Sequence, residues 1–188
     1  MPQLMIVTGS VRAERVGGAV ADWVAGVAET DERFTVDAVD LRELALPFMD
    51  EPAHPRKRAY VHPHTISWSE RVDRTDAFVF VTPEYNYSYA PALKNALDYL
   101  MHEWARKPVG IVSYGGLSGG TRGVVALRPV LQALGLISTG ANVEIPYVSR
   151  QIADGVFTPN DRQTTMLPML LGELAALDGA LAPLRADD

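Results

Sequence analysis

Cysteine is absent from the 188 residues, which removes disulfide staples, thiolate zinc sites and a cysteine nucleophile from consideration. Positive charge is scarce beside negative: 17 Lys and Arg face 23 Asp and Glu, a formal net charge of −6. A chain with a pI near 5.2 lacks the basic face whose counterion release drives binding to a phosphate backbone, so no nucleic-acid partner is expected. Long hydrophobic runs are missing too. No stretch nears the roughly 20 consecutive apolar residues of a membrane helix. The short run Leu4 to Val7 has neither a basic flank nor a small-residue cleavage site, so neither a signal peptide nor a membrane partner is expected. The reading is a soluble, intracellular, cytoplasmic protein.

What is present suffices for one domain over residues 1–188 with 47% apolar side chains, a length that buries about 70% of the unfolded chain's surface. Leu4 to Val7 and Ala77 to Val81 are continuous apolar runs of the kind buried on both faces of a parallel sheet, Val109 to Ser113 predicts another strand, and Ala141 to Ile145 the last one. Phe34 to Leu41 alternates and predicts a half-exposed strand near an edge. Between them, Val20, Trp23, Val24 and Val27 recur at helical spacing, as do Leu93, Ala96, Leu97, Leu100 and Met101 after Pro91. A further helix over Val124 to Leu134 should be kinked or interrupted by Pro129, and Asn160 to Leu181 should form the closing helix. Leu44 to His64 shows no period and predicts a loop, followed by a helix from about Thr65 to Asp73. Five strands alternating with helices define an α/β fold with a parallel sheet covered on both faces.

In such sheets ligands bind beyond the carboxyl ends of the strands, which directs attention to three loops. Thr8 to Gly18 leaves a buried strand and enters a helix N-terminus, where free N–H groups and the helix dipole favour an anion. Ser10 offers a hydroxyl there, and Arg12 or Arg15 a bidentate contact to phosphate oxygens. The loop matches neither a Walker motif nor G-x-G-x-x-G, and a plain glycine turn with two solvated arginines is the competing reading. Thr82 to Pro91 packs Tyr85, Tyr87 and Tyr89 with Asn86 where a ligand's planar part would lie. The same loop would also suit a surface for another subunit. Ser113 to Thr121 is glycine-rich, as a backbone approaching a flat ring would require.

Gly9-Ser10-x-Arg12 after the first strand, Pro83-Glu84-Tyr85-Asn86 after the third and Gly115-Gly116 after the fourth resemble the NADPH-dependent FMN reductase family of flavodoxin-like proteins. The resemblance runs from about Leu4 to Ile145. It implies a three-layer sandwich around a five-stranded sheet of order 2-1-3-4-5. It further implies noncovalent FMN and a homodimer, or a dimer of dimers, with each flavin near the subunit boundary. Carried across, it assigns Ser10 and Arg12 to the FMN phosphate, with Gly9 beside them among the cofactor-binding residues. Pro83, Glu84, Tyr85, Asn86 and the adjoining Tyr87 go to the isoalloxazine surroundings, and Ser113, Tyr114, Gly115 and Gly116 to its pyrimidine side. Many relatives carry a serine three residues after the arginine, where Arg15-Val16-Gly17 stands here. Either Arg15 replaces that contact, or the phosphate rests on the N–H groups of Val16 and Gly17.

The activity so implied is an NAD(P)H oxidoreductase in which donor and small acceptor, free flavin or a quinone, alternate at one open face with ping-pong kinetics. No catalytic acid or base is identifiable. The alternatives are a flavodoxin-like electron carrier that does not itself oxidise NAD(P)H, and a scaffold protein with an empty site. Gly116-Leu117-Ser118-Gly119-Gly120 formally satisfies G-x-S-x-G, yet the last histidine is His102, so a hydrolase triad in the usual chain order is excluded. His62-Pro63-His64, with Asp50, Glu51 and His54 near in sequence, reads as a solvated, proline-stiffened loop rather than a metal clip. Lys94, Asn95 and Asp98 fit a solvent face or a dimer contact.

Overall fold

The computed structural model describes residues 1–185; the last three residues of the expected domain lie outside it. The chain runs β1 (Gln3–Thr8), α1 (Gly17–Glu29), β2 (Thr35–Asp40), α2 (Leu41–Leu44), α3 (Pro63–Asp73), β3 (Ala77–Pro83), α4 (Pro91–Asp98) and β4 (Pro108–Tyr114). It continues with α5 (Thr121–Ala133), β5 (Ile137–Ser138), β6 (Val143–Ile145), the hairpin β7 (Ile152–Ala153) and β8 (Val156–Phe157), and α6 (Asp161–Arg185). The main sheet has the order β2-β1-β3-β4-β5, with β6 also paired to β4, and every pairing in it is parallel.

The strand runs that are apolar throughout are central because side chains on both pleats must be covered. Leu4, Ile6, Val79 and Val81 pack under α1 and α6, whereas Met5, Val7, Phe78 and Phe80 pack under α3, α4 and α5. This makes three layers. The alternating segment becomes the edge strand β2, with Phe34 buried on the α1 side and Val39 on the α3 side. In α6 the row Leu167, Leu170, Leu171 and Leu174 is buried on the sheet. That explains why a helix of 25 residues meets the length and composition of a membrane span while its leucine face serves the core.

Four expectations are corrected. The last strand is divided: β5 pairs with the start of β4 and β6 with its end. Between them the Gly140 and Ala141 amides turn away to the Glu173 carboxylate at 2.8 and 3.0 Å. Helix α5 runs through Pro129 without interruption. The N–H that proline lacks would have bonded the carbonyl of Val125, and both residues lie on the exposed face, where water can serve that oxygen. His62-Pro63-His64 is a helix start rather than a loop, with Pro63 in the first turn of α3 and the Glu51 carboxylate accepting the Val61 and His62 amides. Helix α4 stops at Asp98, so Leu100 and Met101 follow it.

The long irregular segment before α3 is tied to α4. Asn95 donates to the Pro47 carbonyl at 2.7 Å and accepts the Met49 amide at 3.1 Å, while Lys94 pairs with Asp98 along the helix. The β7–β8 hairpin was not anticipated. Its signal, Asp154-Gly155 with both residues at positive φ, is the usual two-residue hairpin turn.

Candidate functional site: three loops at the carboxyl ends of β1, β3 and β4

The parallel register brings the three loops side by side. Thr8 lies opposite Val81, and Pro83 opposite Tyr114. The Gly9 amide donates to the Val81 carbonyl at 2.9 Å, and the Glu84 amide to the Tyr114 carbonyl at 2.9 Å. Gly9 sits tightly: a methyl group there would come within 3.2 Å of the Val81 oxygen. Ser10, 1% exposed, shares a 2.8 Å hydrogen bond between its Oγ and the Tyr85 hydroxyl. That contact joins the first loop to the tyrosine turn.

Helix α1 begins without a cap. Val16 at the N-cap position accepts no amide with its side chain, and the first turn holds no acidic residue. The first N–H groups of an α-helix have no intrahelical partner, so those of Gly17 and Gly18 present donors and a positive dipole end to whatever lies before them. Tyr114 closes the other side. It is 4% exposed, and a methyl group at Gly17 would come within 2.2 Å of its hydroxyl oxygen. That oxygen is buried without a hydrogen-bond partner. Burial chiefly, with Tyr85 close by, pushes the Tyr114 phenol above its ordinary pKa, while Ser10, Arg15 and Arg12 pull it down. Tyr114 therefore turns its hydroxyl toward the start of α1 at the anion loop.

The two arginines of the first loop have different roles. Arg15 pairs with both carboxylate oxygens of Asp40 and donates to the Ser10 carbonyl at 2.9 Å, which makes it a brace for the loop. Arg12 has no ion pair among the described residues, and its guanidinium lies 6.0 Å from the Tyr85 ring centre. Its charge is open to a ligand.

Tyr85 and Ser88 exchange backbone hydrogen bonds of 2.8 and 2.9 Å, closing a tight turn whose two central residues, Asn86 and Tyr87, both have positive φ. Asn tolerates that conformation through local hydrogen bonding, and Tyr does so at a cost. The turn displays Tyr87, 68% exposed. Glu84 does not face outward beside it. Its carboxylate accepts from Ser118 Oγ at 2.7 Å, from the Arg122 amide at 3.2 Å and from Arg122 Nε at 2.6 Å. Burial alone would raise the Glu84 pKa, but Ser118 and Arg122 outweigh it and hold the group below its usual value. The Arg122 guanidinium then stacks 4.1 Å from the Tyr87 ring centre. This clamp on the tyrosine turn was missed by sequence reasoning, as was its absorption of Ser118, the serine of the hydrolase-like motif.

In the third loop, Ser113 Oγ donates to the Gly119 carbonyl at 2.9 Å. The residue that must be glycine is Gly120, at φ +92, where a methyl group would meet the Ser113 Cβ at 2.6 Å and the Tyr114 amide at 2.8 Å. A methyl group at Gly115 would meet the Gly120 amide at 3.3 Å, whereas one at Gly116 would meet nothing within 4 Å. The histidines stand elsewhere: His62 and His64 stack at 5.3 Å between ring centres, and His64 contacts Asp50 at 3.0 Å.

An uncapped helix start, an orphaned hydroxyl and an open arginine, beside a tyrosine turn and a glycine loop, fit the phosphate and the ring of a mononucleotide. A sheet of this order with that site at its carboxyl edge defines a flavodoxin-like α/β protein. The family model for NADPH-dependent FMN reductase matches residues 2–148, and the chain belongs to that family. It is 40% identical over 153 residues to an NAD(P)H-dependent FMN reductase of Saccharomyces cerevisiae, covering 75% of this chain and 80% of that one. It is 43% identical over 121 residues to one from Schizosaccharomyces pombe. The latter match spans 63% of this chain and 60% of the relative's length. Among solved structures it resembles the flavoenzyme NAD(P)H:(acceptor) oxidoreductase FerB of Paracoccus denitrificans, with a TM-score of 0.77 at 18% identity over 96% of this chain and 99% of that one. At that identity the likeness establishes the fold.

Proposed function

We propose that this protein is an FMN-dependent NAD(P)H oxidoreductase that passes reducing equivalents to a small acceptor such as free flavin or a quinone. The observation that carries this reading is the pairing, across one gap, of the uncapped start of α1 with the partnerless hydroxyl of Tyr114. By geometry neither has a hydrogen-bond acceptor among the described residues, and Arg12, which has no ion pair there, adds its charge beside them. A phosphate satisfies all three.

The FMN, when bound, supplies the hydride and electron chemistry. The chain's part is to bind and orient it. The Gly17 and Gly18 amides, Ser10, Arg12 and Tyr114 would hold the phosphate, Ser10 being kept in position by Tyr85. The turn from Pro83 to Tyr87 would carry one edge of the ring, fixed from behind by Glu84 and Arg122. Gly115 and Gly116 would border its pyrimidine side, with the space beside Gly116 left open. Donor and acceptor would then use the same exposed face in turn. The names of the yeast relatives and of a probable NADPH:quinone oxidoreductase of rice, 37% identical over 128 residues covering 66% of this chain and 64% of that one, support the same choice of substrates.

A homodimer is part of this proposal. Phe48 is 87% exposed, and with Val11, Leu46, Pro91 and Ala92 it borders a groove of about 300 Å³. An apolar face of this kind suits a second copy of the chain. Light scattering would test it, a monomer at micromolar concentration being the contrary result.

The deciding experiment is NADPH consumption by the FMN-loaded protein with a small quinone or free FMN, at several fixed acceptor concentrations. Steady turnover with parallel double-reciprocal lines is expected. A yellow protein that does not oxidise NAD(P)H would instead be an electron carrier, and failure to bind FMN at all would end the proposal.

A further inference from the structure

The opposite end of the sheet holds a second cleft of different construction. It has a volume of about 610 Å³ and lies where β4 begins, between the turn at residues 56–58, the end of α3 and the end of α6. Arg56, Lys57, Arg58, Lys107 and Arg185 line it, facing Asp73, Asp76 and Glu103. In a chain of net charge −6 this is a local reversal of sign.

The carboxylates are already engaged. Glu103 accepts from the Tyr60 hydroxyl at 2.9 Å, Ser69 Oγ at 2.7 Å and the Met101 amide at 3.2 Å, with Arg58 at 3.4 Å. Asp73 takes Arg58 at 2.8 Å, while Asp76 takes the Gln3 amide at 2.8 Å and Arg185 at 3.5 Å. Arg58 and Arg185 are thereby neutralised, Arg185 with further help from Asp178. Arg56, Lys57 and Lys107 are left, and none of the three has an ion pair among the described residues.

Lys107 is the unusual one. It is 6% exposed, and its Nζ donates to the Val72 and Asp73 carbonyls at the end of α3, at 2.8 and 2.9 Å. An ammonium carries three donors, so one N–H has no acceptor among the described residues, on a side chain that borders the cleft. Burial is the main cause that lowers its pKa to about 8; a bound anion would oppose that loss of charge. Arg56 and Lys57 stand at the mouth on a fixed turn: His54 Nδ1 accepts the Arg56 amide at 3.1 Å, and His102 Nε2 meets the Arg56 carbonyl at 2.9 Å.

We propose that this cleft binds the pyrophosphate group of a small polyanion, with Lys107 at its floor and Arg56 and Lys57 at its mouth. Three cations without an ion pair among the described residues call for more negative charge than a single carboxylate brings, and the volume falls in the roughly 300–1,000 Å³ range of small-molecule sites. The group could come as inorganic pyrophosphate or as part of a nucleoside diphosphate.

Calorimetric titration of the protein with inorganic pyrophosphate, and separately with ADP, tests this in low salt and in excess FMN, which competes for the anion loop of α1. One pyrophosphate per chain is expected, with affinity falling roughly tenfold or more in the double variant Arg56→Ala/Lys57→Ala. Both residues are exposed, so that variant should keep its unfolding temperature and its FMN affinity. Tighter binding of ADP would identify a nucleotide source, and equal binding the pyrophosphate group alone. No heat and no thermal shift up to millimolar pyrophosphate, an unchanged isotherm in the double variant, or loss of binding in Arg12→Ala instead would each overturn the proposal.

Discussion

Replacing Tyr114 with phenylalanine removes one oxygen from a side chain that is 4% exposed and leaves the ring's packing intact. Without flavin, that oxygen is buried with no hydrogen-bond partner, a condition that costs about 1–3 kcal/mol. The variant should therefore be more stable than the wild type by about 1 kcal/mol, or about 2–4 °C in unfolding temperature for a chain of this size. With FMN the sign reverses. If the hydroxyl donates to the phosphate, its loss removes a charge-assisted hydrogen bond of about 1.5–3 kcal/mol and weakens FMN about ten- to a hundredfold. Thermal unfolding with and without FMN, together with flavin-fluorescence titration, reads both halves on the same samples. An unfolding temperature that drops without flavin, combined with unchanged FMN affinity, would show that the hydroxyl serves the fold, and the argument for a phosphate at α1 would lose its main support.

Arg12→Ala should weaken FMN by roughly 1.5–3 kcal/mol without moving the urea midpoint of the flavin-free protein, because Arg12 has no ion pair among the described residues; a shifted midpoint with intact flavin affinity would contradict this. Gly120→Ala combines a left-handed backbone with a methyl group 2.6 Å from Ser113 Cβ and should cost about 2–5 kcal/mol in urea unfolding; a loss under 1 kcal/mol would mean that the loop can relax. Glu84→Gln should loosen the tyrosine turn and destabilise the protein at pH 7. Glu84 has a lowered folded-state pKa, so the wild type's advantage is fully present above the ordinary glutamate value and fades as pH falls through the lowered one. Unfolding curves that differ between the two proteins by the same amount at pH 7 and at about pH 3 would refute the assignment.

The sheet was legible because each central strand must cover both pleats, leaving an unbroken apolar run such as Ala77 to Val81, and because the intervening helices repeat at 3.6 residues. What escaped is non-local. The division of the last strand depends on Glu173, 33 residues beyond Gly140, whose carboxylate takes two amides that would otherwise extend the ladder. Pro129 was expected to kink or interrupt α5 on local grounds, and its exposed position makes the missing hydrogen bond tolerable. By contrast, the Asp154-Gly155 turn was a local signal in plain view between two short apolar pairs.

The candidate site divides along the same line. The anion loop is contiguous, so Ser10, Arg12 and the glycines entering α1 could be read together, but the division of labour between Arg12 and Arg15 could not, since it depends on Asp40 at the end of a neighbouring strand. Arg122 was invisible for the same reason: it lies 38 residues from Glu84, and only the pairing of β3 with β4 brings them together. That pairing has an electrostatic consequence. Arg15 on the first loop is neutralised by Asp40, and Arg122 in the first turn of α5 by Glu84, so the free positive charge of these three arginines is concentrated at Arg12, beside the start of α1. The other end, with Tyr87 and Gly116, is left without net charge. A molecule with one dianionic end and one neutral planar end matches that gradient in a single orientation, which is how the fold would decide where a flavin's ring lies before any side chain touches it.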